Sequence, residues 1–467
     1  MKKLHYILIL ILVLFSYSCD DLLEFGPSND GVVLAENALE TPEDLQRLLN
    51  SCYDVFANTF DGDVQFINEL LSDNLNGINP NNVNINEIYD RESGDFNGLT
   101  NAVYNDFYFS IFRSNAIMEN FDLVEGLSEN DRTRMEAEAK FIRAVSHWEL
   151  VKLYGQPYGY TAGNTHLGVI LRLEPSQESR NRSTVGEVYE AVIDDLNFAR
   201  TNLPASNDVY ATSYAASSYL AKVHMLMGEY ATAAEYAQDV IGGPFQLDSL
   251  GARYAQFTIS NETVFGFTSA VLDDGSVSGN LVADNRVGAY ISAYSGTSPN
   301  AEIDGTEFNA MFLGSADMRE GNYYMPPQEV LGNAFVSKFN KQFFNHAVTS
   351  LTEMMLLQAE ANALIGSNLP QAIDNINQIK ERAFGNTAFN LDDNASPEQV
   401  LDAARLEKRK EFIGEGKRVD DLKRRGAAGE NIIIRGAPWD CNGMVVQFPL
   451  GEIVVPNFQD NPVGGCN

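Results

Sequence analysis

Tryptophan occurs only twice in these 467 residues, histidine five times and cysteine four times, and the 32 lysines and arginines are half as numerous as the 64 acids. Each scarcity closes off a class of function. A formal charge of −32 disfavours nucleic acid and anionic lipid as partners, since both are gripped by lysine and arginine clusters. There is no CxxC or Cys/His spacing for zinc and no HExxH, and His147, His166, His224 and His346 never pair at metal-ligand spacing. Gly275-Ser276-Val277-Ser278-Gly279 has the outline of a nucleophile elbow but puts Val277 where a serine is needed. Gly414-Glu415-Gly416-Lys417 ends like a phosphate loop, yet Glu411 stands at the opening glycine and Arg418 at the required hydroxyl. Asp61-Gly62-Asp63 is too short for a calcium loop. With so many acids some carboxylates fall close together by number alone, so a glycosidase pair has no support. What remains is a protein that binds rather than catalyses, with no metal and no cofactor.

Long apolar runs are equally scarce. The one at 7–15, preceded by Lys2 and Lys3, is too short to stay in a bilayer and reads as a secretory signal. It leads to Ser18-Cys19, the end of a lipoprotein signal, so residues 1–18 are expected to be removed and Cys19 to carry the lipid anchor. Loss of Lys2 and Lys3 takes the formal charge from −32 to −34. Of the other cysteines, Cys52 lies in a helical pattern as a small buried residue. An oxidising compartment permits a disulfide, and Cys441 with Cys466 would close a modest loop.

Helical signals fill much of the remainder. Thr41-Pro42-Glu43-Asp44 opens a helix over 41–60, with proline in the first turn and Leu45, Leu48, Leu49 and Cys52 on one stripe. Asparagine and glycine dominate 71–101, which favours turns. Periodicity resumes at Ser128, a helix cap, and runs through Phe141, Val145 and Trp148 to Gly155. A further helix is predicted over 185–201. Two alanine-seamed hairpins follow, 214–241 turning at Gly228-Glu229 and 351–382 turning at Gly366-Ser367-Asn368, with the texture of tetratricopeptide repeats. Between them, 251–348 is rich in glycine, serine and aromatics, with short strands predicted at 263–267 and 335–339.

Three ordered motifs carry a resemblance to a known family. Residues 137–159, AEAKFIRAVSHWELVKLYGQPYG, resemble the RAxxYFxLVxxYGxxP helix of SusD/RagB-type lipoproteins. EKRKEFIGEGKRVDDLKRRG at 407–426 is similar to that family's ERRxExxxEGxRxxDLxRxG segment, matching at Glu407, Arg409, Glu411, Glu415, Gly416, Arg418, Asp421, Leu422 and Gly426. The end, from Phe448-Pro449-Leu450-Gly451-Glu452-Ile453 to Asn461-Pro462, resembles the closing IPxxEIxxNPNxxQNPG. The chain departs from the pattern at Gly414, Val419 and Asp420, where aromatics are usual, at Lys417 for a histidine, and at His147-Trp148 for Tyr-Phe. The resemblance implies a mainly α fold, a tetratricopeptide-like scaffold with an irregular, loop-rich ligand-facing lobe. It divides the chain into signal 1–18, N-terminal helical region 19–205, hairpin 206–250, irregular lobe 251–349 and C-terminal region 350–467. The implied role is a lipoprotein held at the outer-membrane surface, with Asp20, Asp21 and Glu24 as an export signal. It would lid a SusC-like TonB-dependent transporter and capture oligosaccharide for import without turnover.

Within that frame Arg143, Glu411, Glu415, Arg418 and Asp421 read as ion pairs and caps locking the scaffold, and Trp148 as core. A sugar needs flat aromatic faces beside Asn, Asp and Arg. Two tracts offer that mixture: Asp73, Asn74 and Tyr89 in one; Tyr290, Tyr294, Arg319, Tyr323 and Tyr324, with Phe308, in the other. Trp439 beside Asp440 is a further loop candidate. The family motifs do not reach these residues. Two tryptophans are few for a glycan platform, which keeps open an oligopeptide ligand and a subunit that only docks to an outer-membrane machine.

Overall fold

A computed structural model describes residues 39–466 apart from 61, 79–80, 177, 257, 269, 272–276, 279–300, 327–331 and 342–343. The signal region and Cys19 lie outside the described residues.

The scaffold is a row of helices. It runs through α1 (Pro42–Thr59), α2 (Asp63–Leu71), α3 (Val83–Tyr89), α4 (Gly98–Asn120), α5 (Glu129–Tyr154), α6 (Val185–Asn202), α7 (Ser213–Met227) and α8 (Tyr230–Ile241). Helix α1 packs on α4 and, from α4 to α8, each helix packs on the next. Caps fix the boundaries: the Ser128 hydroxyl accepts from the Asp131 amide, and Thr184 with Glu187 forms a full capping box. Gly228 closes α7 in the left-handed region at φ 79°, where a side chain would be strained. Between α7 and α8 the seam is alanine, with Ala221, Ala233, Ala234 and Ala237 buried together, while Ala215 and Ala216 join the main core. The first hairpin thus forms as the sequence predicts.

One long helix has no counterpart in the sequence expectation. In α4 the buried face falls at helical spacing, yet Thr100, Ser110, Ser114 and Asn115 occupy it beside Val103, Phe107 and Ile111. Polar residues on the inner stripe hide its apolar period. Helix α3 likewise forms within the asparagine-rich tract, with Asn82 as its cap.

The chain then becomes irregular. Strands β2 (Thr263–Phe267), β3 (Ala270–Val271), β4 (Val277–Ser278) and β5 (Ala301–Asp304) lead to short helices α9 (Gly305–Phe312) and α10 (Arg319–Asn322). Strands β6 (Tyr324–Met325), β7 (Asn333–Val336) and β8 (His346–Ser350) return it to the scaffold. The strand predicted at 335–339 sits two residues earlier, because Ser337 and Lys338 turn away to donate their amides to the Tyr323 carbonyl. With β1 (Gly77–Ile78), the lobe forms an antiparallel sheet in the order β1-β5-β7-β6, while β2 pairs with β8.

The second hairpin, α11 (Leu351–Ile365) and α12 (Leu369–Phe384), packs against α8 and against α13 (Pro397–Phe412). Helix α14 (Arg418–Ala427), the ribbon β9 (Ile433–Ile434) with β10 (Ala437–Pro438), and α15 (Leu450–Ile453) close the fold. Cys441 and Cys466 are joined as a disulfide with Cα atoms 5.2 Å apart, and Cys52 is free and buried. No helix among the described residues is long and apolar enough to cross a membrane.

Candidate ligand-facing lobe and its anchorage

The two candidate tracts, more than 200 residues apart in sequence, meet in one sheet. Gly77 pairs with Glu302 and Ile78 with Ala301, antiparallel. Just before β1, the Asn76 amide donates to the Glu302 carbonyl (2.9 Å), and its side chain donates to Asp304 (3.0 Å). The Tyr89 hydroxyl reaches back from α3 to the Asn76 carbonyl (2.8 Å), so the asparagine-rich loop is pinned at both ends. The Arg435 guanidinium covers the Tyr89 ring at 3.8 Å while donating to the Leu70 and Ser72 carbonyls.

Asp73 is half-buried and takes both Arg418 donors at 2.9 Å. Burial would raise its carboxyl, but the Arg418 hydrogen bonds and charge, with Arg409 behind them, hold it below the usual carboxylate range. Asn74 is buried; it donates to Glu69 and accepts from Arg409, which also pairs with Glu307 of α9. Arg409, a motif residue, therefore ties the tract at 73–76 to the helix after β5.

The structure corrects several expectations. Arg319 has no exposed surface: its guanidinium is spent on Asp317 (2.7 Å), Glu407 (2.6 Å) and Glu411 (3.0 Å). Tyr323 and Tyr324 are interior, the latter donating to the Lys410 carbonyl (2.7 Å), and Phe308 meets its ring edge-on (5.6 Å). These four and Asn74 face the interior because the lobe needs a core and counter-charges of its own. Tyr290 and Tyr294 lie outside the described residues. Trp439 stands apart from the lobe. Its ring lies over Gly426 so closely that a Cβ there would sit 2.3 Å from it, and its edge meets exposed Tyr160 at 6.4 Å. Residues that sequence reasoning passed over at this face are Asn76, Arg435, Glu302, Asp304 and Asn333. The density of asparagine was the available signal.

Buried charge fastens the lobe to the scaffold. Arg253, Arg319 and Arg382 converge on Glu411 at 2.8–3.0 Å, and Lys338 and the Tyr254 hydroxyl meet Glu415 at 2.6 Å. Desolvation opposes ionisation of both carboxyls, but the surrounding cations hold each at about 2. Gly416 follows at φ 69°, and a Cβ there would lie 2.8 Å from the Gln65 backbone, so the turn nests directly on α2. Arg143 chelates Asp195 (2.7 and 2.8 Å) and reaches Asn115, locking α4, α5 and α6. Asp421 pairs with Lys408, and Trp148 is buried. The charged motif residues are thus structural, as the sequence indicates. No cluster of three or more metal-ligating side chains occurs among the described residues.

Comparison with known proteins fits this architecture. A family model described as starch-binding, associating with the outer membrane (SusD-like), matches residues 28–225, and a SusD family model matches 345–438; together they span more than half the chain. SusD-like protein P25 of Formosa agariphila is 25% identical, covering 91% of this chain and 90% of that protein. SusD-like protein P2 of the same organism is 29% identical over 53% of this chain, an alignment spanning about half (48%) of the relative. A solved SusD superfamily protein from Bacteroides vulgatus superposes with a TM-score of 0.77 at 20% identity, covering 91% of this chain and 99% of that one. A laminarin-binding SusD-like protein superposes at 0.70 and 21% identity, covering 91% and 99%.

Proposed function

The chain belongs to the SusD/RagB family, and on that premise we propose that it captures oligosaccharide at the lobe and passes it on without turnover. The receiving partner in this reading is a SusC-like TonB-dependent transporter, for which the protein acts as lid. Cys19 would tether it by lipid to the outer-membrane surface. The observation that carries the site is the junction of 73–89 with β5. It sets the exposed Asn76 beside Asp304 and the Tyr89–Arg435 stack, a mixture of amide, carboxylate, guanidinium and ring that suits sugar hydroxyls and C–H faces. The laminarin-binding relative of the same fold supports glycan as the ligand class.

An oligopeptide ligand is the second reading. It is favoured by the shortage of free stacking surface, because Trp148 is core and the Tyr89 ring is already covered by Arg435. The deciding experiment is titration of the lipid-free protein with laminarin and starch oligosaccharides and with a peptide library. A glycan hit whose affinity falls about tenfold, roughly 1.4 kcal/mol, in Asn76→Ala with an unchanged melting temperature supports the lobe. A peptide-only hit transfers the site to the second reading, and product release from a polysaccharide at a measurable rate overturns both.

A further inference from the structure

Six described residues other than glycine hold a left-handed backbone. Four of them, Asn164, Asp208, Asn368 and Asn457, have short polar side chains that tolerate it. The other two are arginines, Arg91 (φ 62°) and Arg435 (φ 45°), and they meet at the lobe. Arg435 and Gly436 (φ 86°) form the two-residue turn between β9 and β10, closed by the pairing of Ile434 with Ala437. Asparagine is the ordinary residue at the first place of a turn with both φ positive. Arg91 follows Tyr89 by two residues, and its Nη2 donates to the carbonyl of Ile434, directly before Arg435. Backbone strain of this kind gathers at binding sites.

The same two side chains lack counter-ions. Arg143, Arg253, Arg319, Arg418 and Arg424, all shielded from water to a similar degree, each meet a carboxylate. Neither Arg91 nor Arg435 has an ion pair among the described residues. Arg91 is 5% exposed, and its Nε is enclosed without an acceptor. Burial, with the Arg435 charge beside it, pushes its guanidinium down to about 10. Arg435 is half-buried; its Nε and Nη2 serve the Ser72 and Leu70 carbonyls, while Nη1 has no acceptor and is not enclosed. Burial lowers this group too, against the pull of Tyr89, Asp90 and Asp73.

The nearby carboxylates are engaged elsewhere or out of contact. Asp73 is held by Arg418, Asp304 takes the Asn76 amide and the first turn of α9, and exposed Asp90 pairs with neither arginine. Two neighbouring guanidiniums with no carboxylate between them repel, and an anion brought by a ligand removes that repulsion.

We propose that the lobe selects acidic oligosaccharides, with Arg435 Nη1 gripping a carboxylate or sulfate ester on the sugar and Arg91 adding its charge from behind. The inference rests on the glycan reading of this lobe and narrows it. One tyrosine separates Arg435 from Asn76: the guanidinium lies 3.8 Å over the Tyr89 ring, and the Tyr89 hydroxyl donates to the Asn76 carbonyl (2.8 Å). Neighbouring units of one sugar chain cover that span. The chain's formal charge of −32 opposes an acidic ligand at a distance, but salt screens it beyond about 8 Å, whereas the arginine contact is direct.

The test titrates the lipid-free full chain with matched pairs that differ only in charge. These are trigalacturonate with its methyl ester, and a κ-carrageenan tetrasaccharide with its desulfated form; laminarin oligosaccharide is the neutral reference. At least one acidic member should bind about tenfold more tightly than its neutral counterpart, the margin of one charge-assisted hydrogen bond. The pair that shows the margin tells carboxylate from sulfate. Arg435→Gln, checked for an unchanged circular dichroism spectrum, should abolish it. Oligosaccharide binding with no acidic member ahead of its counterpart overturns the inference on the unaltered protein and leaves the glycan reading standing. A margin that survives in Arg435→Gln overturns it as well. Binding of peptide alone, or of no oligosaccharide at all, removes the glycan reading itself and this inference with it.

Discussion

The scaffold and the lobe of this protein are held together by different physics. In the two hairpins the seams between paired helices are mainly alanine and aliphatic: Ala359, Ala372, Ile376 and Ile379 are buried along α11 and α12. In the lobe, helices are short and strands have two to five residues. Its attachment depends on three arginines around one carboxylate in α13. An apolar seam tolerates small changes of volume, because neighbours relax. A buried ion cluster does not tolerate loss of one member, because the remaining charges are left desolvated.

The largest expected effect therefore falls on Glu411. Replacing it by glutamine in Glu411→Gln leaves Arg253, Arg319 and Arg382 without their shared counter-charge and should cost about 3–5 kcal/mol. Urea unfolding measures the loss. If lobe and scaffold differ as described, the far-UV helical signal persists in native buffer while segment 251–349 becomes sensitive to limited proteolysis. A variant that loses less than about 1 kcal/mol and stays protease-resistant would show that the lobe is held by its apolar contacts instead.

The same difference explains what could be read from the sequence. The hairpins, α5 and α6 were legible to within one or two residues because their apolar positions recur at helical spacing and their caps are conventional. Helix α4 was not, since Ser110, Ser114 and Asn115 interrupt its inner stripe. The charged motif at 407–426 was legible as structural from its mixture of signs on segments that also bear large apolar residues. Its partners were not: Arg253, Arg319 and Lys338 come from distant, aperiodic segments and Arg382 from the last turn of α12, and nothing local marks a side chain as a counter-ion. For that reason Arg319, Tyr323 and Tyr324 looked like ligand contacts. Aromatics and arginine in a loop-rich tract have the same composition whether they face a sugar or a buried carboxylate. The pairing of 77–78 with 301–304 was beyond reach for a related reason, because two-residue strands carry no period.

A smaller effect, set by pH, sharpens the comparison. Burial, outweighing the nearby Glu415 charge, pushes His346 down to about 4, while an unfolded histidine titrates near 6.5. The folded-state value is the lower one, so the associated stability is complete above about 6.5 and is lost as pH falls toward 4. About 2 kcal/mol should be gone by pH 5. Glu411 and Glu415, each held at about 2, add nothing to this loss until pH drops below their unfolded values near 4.5. Urea midpoints at pH 7.5 and 5 in the parent and in His346→Gln test this, the variant being expected to lose distinctly less between the two. An identical loss in both would mean that His346 takes up its proton in the folded state as readily as in water.

The smallest effect is the control on the scaffold side. Ile376 is fully buried in α12, among Met355, Ala359 and Ala372. Ile376→Val removes one methylene, and a seam able to relax around it should lose only about 1 kcal/mol. The comparison requires that this loss be uniform. Proteolysis of 251–349 should remain at the parent's rate, because no charge is stranded: the Arg382–Glu411, Arg405–Glu360 and Lys408–Glu360 pairs that join the hairpin to α13 are left intact. The measurement pairs urea unfolding with proteolysis on one preparation. A loss above about 2 kcal/mol, or a lobe that loosens with Ile376, would mean that the scaffold's apolar seams and the ion cluster around Glu411 unfold as one cooperative unit. In that case the division between a seam-held scaffold and a charge-fastened lobe is one of chemistry alone, with no difference in local stability behind it.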